Sequence, residues 1–206
     1  MAVHPTAIIE PDVTIGRRTA VWDNVHIRHS VRIGDDCIIG EKTYIAYGVF
    51  IGDRVKINAF VYICTGVTLE RGVMVSAGTV FTNDRFPRAA TADLRQLLPS
   101  EPDENTLRTR VREGATIGAQ STIGPGLTIG RFAMVGMGSI VTHDVPDFVL
   151  VAGNPARPIG YVCACGRPLI PRISGLLDSQ LEKTCSNCLL RYDITGAVVK
   201  QLAPVR

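Results

Sequence analysis

Leucine is scarce in this chain of 206 residues: 14 Leu stand against 22 Val and 19 Ile. Soluble helical domains lean on Leu and Ala, so a β-branched excess of this size argues against a helical protein and for strands. Charge is scarce too. Charged residues make up 20% and the net charge is +3, too small and too scattered to predict a nucleic-acid partner. No uninterrupted apolar run reaches the length of a membrane span, so no membrane partner is expected. The stretch from Met1 to Thr6 lacks the basic and apolar regions of a signal peptide. The expected location is therefore cytoplasmic, where the six Cys are read as thiols or metal ligands first. Only four His are present, with none between His29 and His143. What remains is 46% hydrophobic with 20 Gly and 12 Pro. That is a globular, turn-rich chain, long enough for one domain and a small appendage.

A period of six organises it. Every sixth residue from Val3 is large and apolar: Val3, Ile9, Ile15, Val21, Ile27, Ile33, Ile39, Ile45, Ile51, Ile57, Ile63, Leu69, Val75 and Phe81. Fourteen such hits in a row have odds of roughly one in ten million by chance. Four residues after each anchor from Val3 to Val75 stands a small or β-branched residue, such as Val13, Thr19 or Cys37. Gly often follows the anchor, as at Gly16, Gly34, Gly40 and Gly52. The pattern resumes with Val111, Ile117, Ile123, Ile129, Val135 and Val141. Six fits neither a helix nor a simple alternating strand. It fits a solenoid of very short strands, with anchors filling the centre and each coil hydrogen-bonded to its neighbours.

This [Leu/Ile/Val]-[Gly/Ala/Glu/Asp]-x-x-[Ser/Thr/Ala/Val]-x pattern resembles the hexapeptide repeat of left-handed parallel β-helix acyltransferases. The resemblance covers residues 3–146 and implies an all-β fold of six to seven triangular coils. Its left-handed crossovers come from the resemblance alone, because crossovers are usually right-handed. The ruler fails between residues 82 and 110, an inserted loop. Residues 1–146 are thus expected to form the β-helix with its loop, 147–160 an exit segment and 161–206 a Cys-rich tail.

The loop start, from Phe81 to Arg88 with Thr82, Asn83, Asp84 and Arg85, resembles N-acetyltransferases acting on nucleotide-linked amino sugars. Those modifying a 3-amino sugar on dTDP or UDP are the nearest in pattern. The resemblance implies that Asn83 lies beside the acceptor amine, with Thr82, Asp84, Arg85 and Arg88 around the substrate. Solenoid arithmetic adds a wall. Anchors eighteen apart stack, and the residues flanking them point outward. Ile8, His26, Tyr44, Tyr62 and Val80 should form one outer column, and Glu10, Arg28, Ala46, Cys64 and Thr82 the other. This wall leads into Asn83 and is expected to face the acceptor cleft between subunits of a homotrimer; its rings could equally pack in that interface alone. Acyl transfer from a thioester needs alignment, oxyanion stabilisation and a proton acceptor. Asn83 ranks first as the residue orienting the amine and His26 second, as base.

The exit segment around Asn154-Pro155 resembles that of many hexapeptide acyltransferases, where CoA lies along the last coils. By position this implies Gly118, Ala119, Gly136 and Ser139 beside the pantetheine and Arg157 near a CoA phosphate. Gly is expected there to leave room for a ligand. In the tail, Cys163 and Cys165 precede Cys185 and Cys188. Two Cys pairs at this separation fit a four-thiolate structural zinc site on a zinc-ribbon-like fold, with disulfides or free thiols as alternatives. Acetyl-CoA is the implied cosubstrate. Other readings are a non-catalytic β-helix scaffold and a hexapeptide O-acetyltransferase on another small acceptor. A γ-type carbonic anhydrase, echoed by Val21 to Arg28, is nearly excluded because no His lies mid-helix to bind its zinc.

Overall fold

The computed structural model describes residues 2–99, 101–103, 106–171, 173 and 175–202. Among them there is no helix. Each anchor closes a strand of two or three residues, and the strands line three flat parallel walls. The first wall runs from Ala2–Val3 through Ala20–Val21 to Met134–Val135, the second from Ile8–Ile9 to Ile140–Val141, and the third from Thr14–Ile15 to Thr128–Ile129. Partners are eighteen residues apart, as in Ile9↔Ile27 and Ile33↔Ile51. Across the insertion the spacing widens, pairing Val67 with Thr109 and Val80 with Thr122. The wall strand resumes at Thr109, so the loop occupies 82–108. Val149–Gly153 adds an eighth parallel rung to the first wall, pairing Val135 with Val151. The left-handed β-helix is thus about eight turns long, one more than the repeat count suggests.

The core is a single column of anchors. From Val21 to Val141 all are buried, while Val3 at the open end is exposed. Polar residues in the small-residue column also point inward, and their hydroxyls are satisfied by coil backbone. Thr19 Oγ1 donates to Gly34 O at 2.8 Å, Thr43 Oγ1 to Asn58 O at 3.1 Å and Ser121 Oγ to Gly136 O at 3.1 Å. Corners follow the same period. The third residue after almost every anchor has positive φ, at Asp12, Arg18, Asn24, Ser30, Asp36, Lys42, Arg54 and even Phe60 and Phe132. A non-Gly residue there costs about 1–2 kcal/mol. Beyond the first coil most corners offset this by donating their amide to the preceding coil, as Asp36 N does to Arg17 O at 2.9 Å and Phe60 N to Glu41 O at 3.0 Å.

The far end is capped. Ala156–Val162 and Pro168–Pro171 extend the first wall antiparallel. A separate sheet of Leu181–Thr184, Arg191–Thr195 and Val198–Gln201 packs beyond it. Phe148 joins the two parts, stacking on Phe132 and meeting Tyr192 edge-on. Buried Tyr161 donates its hydroxyl to Gly196 O at 2.7 Å and accepts from Leu177 N at 3.0 Å. The cap thus covers that end of the core with the buried rings of Phe148, Tyr161 and Tyr192.

Candidate active site

Neighbouring rungs lie about 4.8 Å apart, so aromatic residues in one outer column must stack. On the second wall they do. Ile8, His26, Tyr44, Tyr62 and Val80 are register partners. Tyr44 and Tyr62 are parallel, with ring centroids 5.3 Å apart, and His26 meets Tyr44 edge-on at 5.4 Å. In the adjacent column Glu10 and Arg28 stack as opposite charges. Arg28 Nε lies 2.6 Å from Glu10 Oε1 as an ion pair with its N–H off the line of contact. The same carboxylate takes His26 Nε2 at 2.9 Å and His29 N at 3.0 Å. The Arg28 guanidinium pulls the Glu10 carboxyl down to about 2. Arg28 Nη1 then donates to Tyr44 Oη at 2.9 Å.

The wall opens into a cleft of about 540 Å³ where the loop leaves the coil. Arg28, Tyr44, Tyr62, Cys64, Asn83 and Glu101 are among its lining residues. Asn83 sits at its junction with a second cleft, of about 490 Å³, under the loop. Its carbonyl accepts from Leu107 N at 3.2 Å, which ties the two ends of the loop together. The half-buried side-chain amide of Asn83 has no hydrogen-bond partner among the described residues. Asp84 and Arg88 line the second cleft. Asp84 Oδ1 accepts from Phe86 N at 2.8 Å and shapes the turn, and Arg88 Nη1 donates to Pro87 O at 3.0 Å. Thr82 donates its hydroxyl to Ile123 O at 3.1 Å, and exposed Arg85 lines neither cleft.

His26 is not among the residues lining either cleft. Its Nε2 is held by Glu10, which suits a buttress better than a base. The histidine in the first cleft is His29, lying flat on Tyr47 with centroids 5.1 Å apart. Glu10, Arg28, His29 and Glu101 did not emerge as site residues from the sequence. The one available signal was the eighteen-residue spacing that puts Glu10 beneath Arg28. Cys64 is buried in the cleft wall, and burial pushes its thiol up to about 12.

The residues implied for CoA are set into the last coils. A Cβ on Gly118 would fall 2.6 Å from Val135 O and Met137 N, and one on Gly136 would fall 2.9 Å from the Ala152 methyl. These glycines therefore answer to the close approach of the next coil. Ser139 is fully buried; its Oγ donates to Gly136 O at 2.6 Å and accepts from Gly153 N at 3.2 Å, so the side chain offers nothing outward. Ala119 is half-buried and Arg157 exposed.

Cys163, Cys165, Cys185 and Cys188 converge in the cap, with all four sulfurs within 4.8 Å of one another. The Cys163–Cys188 and Cys165–Cys185 sulfurs are 3.3 and 3.6 Å apart, too far for disulfides. A tetrahedron with Zn–S bonds of about 2.3 Å has edges of roughly 3.8 Å, which this cluster matches. Backbone N–H groups of Cys188 and Asn187 pull the Cys185 thiol down to about 6, while desolvation pushes Cys163 up to about 12. The donor set fits a closed structural site.

Comparison with known proteins agrees with this architecture. The family model "Bacterial transferase hexapeptide (six repeats)" matches residues 12–46 and 48–83, and "Hexapeptide repeat of succinyl-transferase" matches 30–64 and 109–143. A dTDP-3-amino-3,6-dideoxy-α-D-galactopyranose 3-N-acetyltransferase from Aneurinibacillus thermoaerophilus is 46% identical over 95 residues, which cover 46% of this chain and 45% of that protein. The match therefore spans less than half the length of that relative. Among solved structures, galactoside acetyltransferase in complex with coenzyme A aligns with TM-score 0.51 and 25% identity over 64% of each chain. A variant of GDP-perosamine N-acetyl transferase from Caulobacter crescentus, in complex with CoA and GDP-perosamine, aligns with TM-score 0.50 and 25% identity over 77% of this chain and 55% of that one. The matched repeats together span 12–83 and 109–143, more than half of the sequence, and the protein belongs to the bacterial hexapeptide-repeat transferase family.

Proposed function

We propose that the protein transfers acetyl from acetyl-CoA to the amine of a nucleotide-linked amino sugar, a 3-amino sugar on dTDP or UDP. One observation carries this reading. The free amide of Asn83 stands in a cleft against the Tyr44–Tyr62 wall, in a chain 46% identical over 95 residues to a 3-amino-sugar N-acetyltransferase. Asn83 Oδ1 accepts an N–H of the acceptor amine and aims its lone pair at the thioester carbonyl. The C–N bond forms as the C–S bond breaks. The amine proton goes to the departing CoA sulfur, so amide and CoA thiol are the products and no side-chain base is required.

The same proposal places the working unit as a homotrimer with clefts between subunits. The loop leaves Phe86, Leu94 and Leu97 more than four-fifths exposed, an apolar surface that an isolated chain gains nothing by presenting to water. The four tail thiols are proposed to hold one structural zinc, since four thiolates leave no open coordination position for chemistry.

The test is thiol release from acetyl-CoA against a panel of nucleotide-linked 3-amino and 4-amino sugars, with galactosides as hydroxyl acceptors. Turnover with a 3-amino sugar is expected. Turnover with hydroxyl acceptors alone would make the protein an O-acetyltransferase, and none at all would favour a scaffold.

A further inference from the structure

The second wall carries a chain of contacts that reaches from the open end of the solenoid into the cleft. Glu10 accepts from His29 N and His26 Nε2 and pairs with Arg28. Arg28 in turn donates from Nη1 to Tyr44 Oη at 2.9 Å. A guanidinium has donors and no acceptor. Tyr44 Oη is therefore the acceptor in this contact, and the Tyr44 hydroxyl hydrogen cannot point at Arg28. No other described side chain takes that hydrogen. Tyr44 also cannot swing away, because its ring is sandwiched between the His26 edge and the Tyr62 face.

We propose that Glu10 and Arg28 are positioning residues that fix Tyr44 as a hydrogen-bond donor to an oxygen of the acceptor substrate in the Asn83 cleft. This rests on the amino-sugar reading above. Glu10 neutralises Arg28, so the guanidinium acts as an orienting donor and not as a free anion site. The oxygen belongs either to a sugar hydroxyl or to the nucleotide diphosphate, and both lie within reach of the same chemistry. Tyr44 discriminates through recognition of the acceptor, not through the acyl transfer step.

The experiment compares Tyr44→Phe, Glu10→Gln and the double variant, measuring kcat, both KM values and melting temperature. Tyr44→Phe is expected to raise KM for the nucleotide amino sugar about tenfold, the loss of one neutral hydrogen bond. The kcat and the KM for acetyl-CoA stay near wild type. Glu10→Gln should raise the same KM by a smaller factor, and the double variant should be no worse than Tyr44→Phe. Calorimetric titration with dTDP and UDP separates the two oxygens: weaker binding of the bare nucleotide to Tyr44→Phe assigns the diphosphate, and unchanged binding assigns the sugar hydroxyl. Independent, multiplying effects of Glu10→Gln and Tyr44→Phe would overturn the relay, as would a Tyr44→Phe enzyme with wild-type KM. A fall in melting temperature with both KM values intact would reduce the network to a structural one. A wild-type protein inactive on every amino sugar fails differently, because it removes the functional reading itself.

Discussion

Glycine directly follows an anchor of the repeat at Gly34 and stands at the corner position, two places later in the hexad, at Gly48, and Gly34 should be the more sensitive to alanine. A Cβ on Gly34 would lie 2.3 Å from Asp53 Oδ1, 2.7 Å from Asp53 N and 2.8 Å from Gly52 C. Two of these atoms are backbone of the next coil, so the coils must part. Asp53 cannot retreat freely either, because its Oδ1 accepts from Asp35 N at 2.9 Å. Overpacking of this kind costs about 1–3 kcal/mol, and loosening one hydrogen bond adds about 1 kcal/mol. The lower entropy of the unfolded alanine chain returns about 0.4–1 kcal/mol. Gly34→Ala should therefore lose about 1–3.6 kcal/mol, or roughly 2–14 °C in melting temperature for a chain of this size. Gly48 has φ +68 and nothing within 4 Å of its would-be Cβ. Its cost is the left-handed conformation alone, about 1–2 kcal/mol, partly offset by the same entropy gain. Urea and thermal unfolding of both variants, followed by circular dichroism, measure the contrast. If Gly48→Ala proved the more damaging, or Gly34→Ala melted with the wild type, close coil approach would not be what the post-anchor glycine serves.

Asn83→Ala should lower kcat/KM by roughly 100-fold or more through lost alignment, with oligomeric state and circular dichroism unchanged; wild-type turnover would remove Asn83 from the mechanism. Protein purified without chelator should contain one zinc per chain by elemental analysis, and stripping it should lower the melting temperature of the cap, whereas metal-free protein of equal stability would refute the thiolate site. Glu10 has its folded pKa lowered to about 2 from an ordinary 4.5. Its contribution to stability is therefore present above 4.5 and lost as pH falls towards 2. Glu10→Gln should flatten the stability profile in that window, and an unchanged profile would contradict the ion pair. Cys64, with its thiol raised to about 12, should react with a thiol reagent at pH 8 far more slowly in the native protein than in urea.

The coil was legible because one number controls everything inside it. Each anchor must fill the centre, so Val21, Ile39, Ile57 and Val75 repeat a single chemical demand at a fixed interval, and all four are buried. The same spacing located the outer columns and so the tyrosine stack. Its multiple of three also placed opposite charges one above another, as in Arg17–Asp35 and Arg18–Asp36. The corners obeyed the period without showing it in residue type. Positive φ falls on Asp36, Lys42, Phe60 and Gly72 alike, because backbone pairing with the preceding coil fixes the conformation whatever the side chain. Glycine is ambiguous for a related reason. At Gly118 and Gly136 it marks a neighbouring coil at close range, and the letter G does not distinguish a coil from a ligand.

The site was legible only where it is built on the wall. Tyr44 and Tyr62 are placed by the repeat, and Asn83 follows Thr82, the last residue of the wall's outer column, so all three could be put near one cleft from spacing and resemblance. Glu101 enters the same cleft from the far end of the loop, which follows no period and whose path depends on local bonds such as Leu107 N to Asn83 O and Asp84 to Phe86 N. For His26 the period says less. Its column was right, but a column fixes only the Cα and the general direction of a side chain. The carboxylate of Glu10 decides where the ring nitrogen goes, and it draws Nε2 into the network behind Tyr44. A rigid solenoid thus supplies the platform and its register, while side-chain contacts such as those of Glu10 with Arg28 and His26 set the direction of each group on it. Such pairs are readable from sequence once the period is known, because residues eighteen apart stand one above another, as Glu10 stands beneath Arg28.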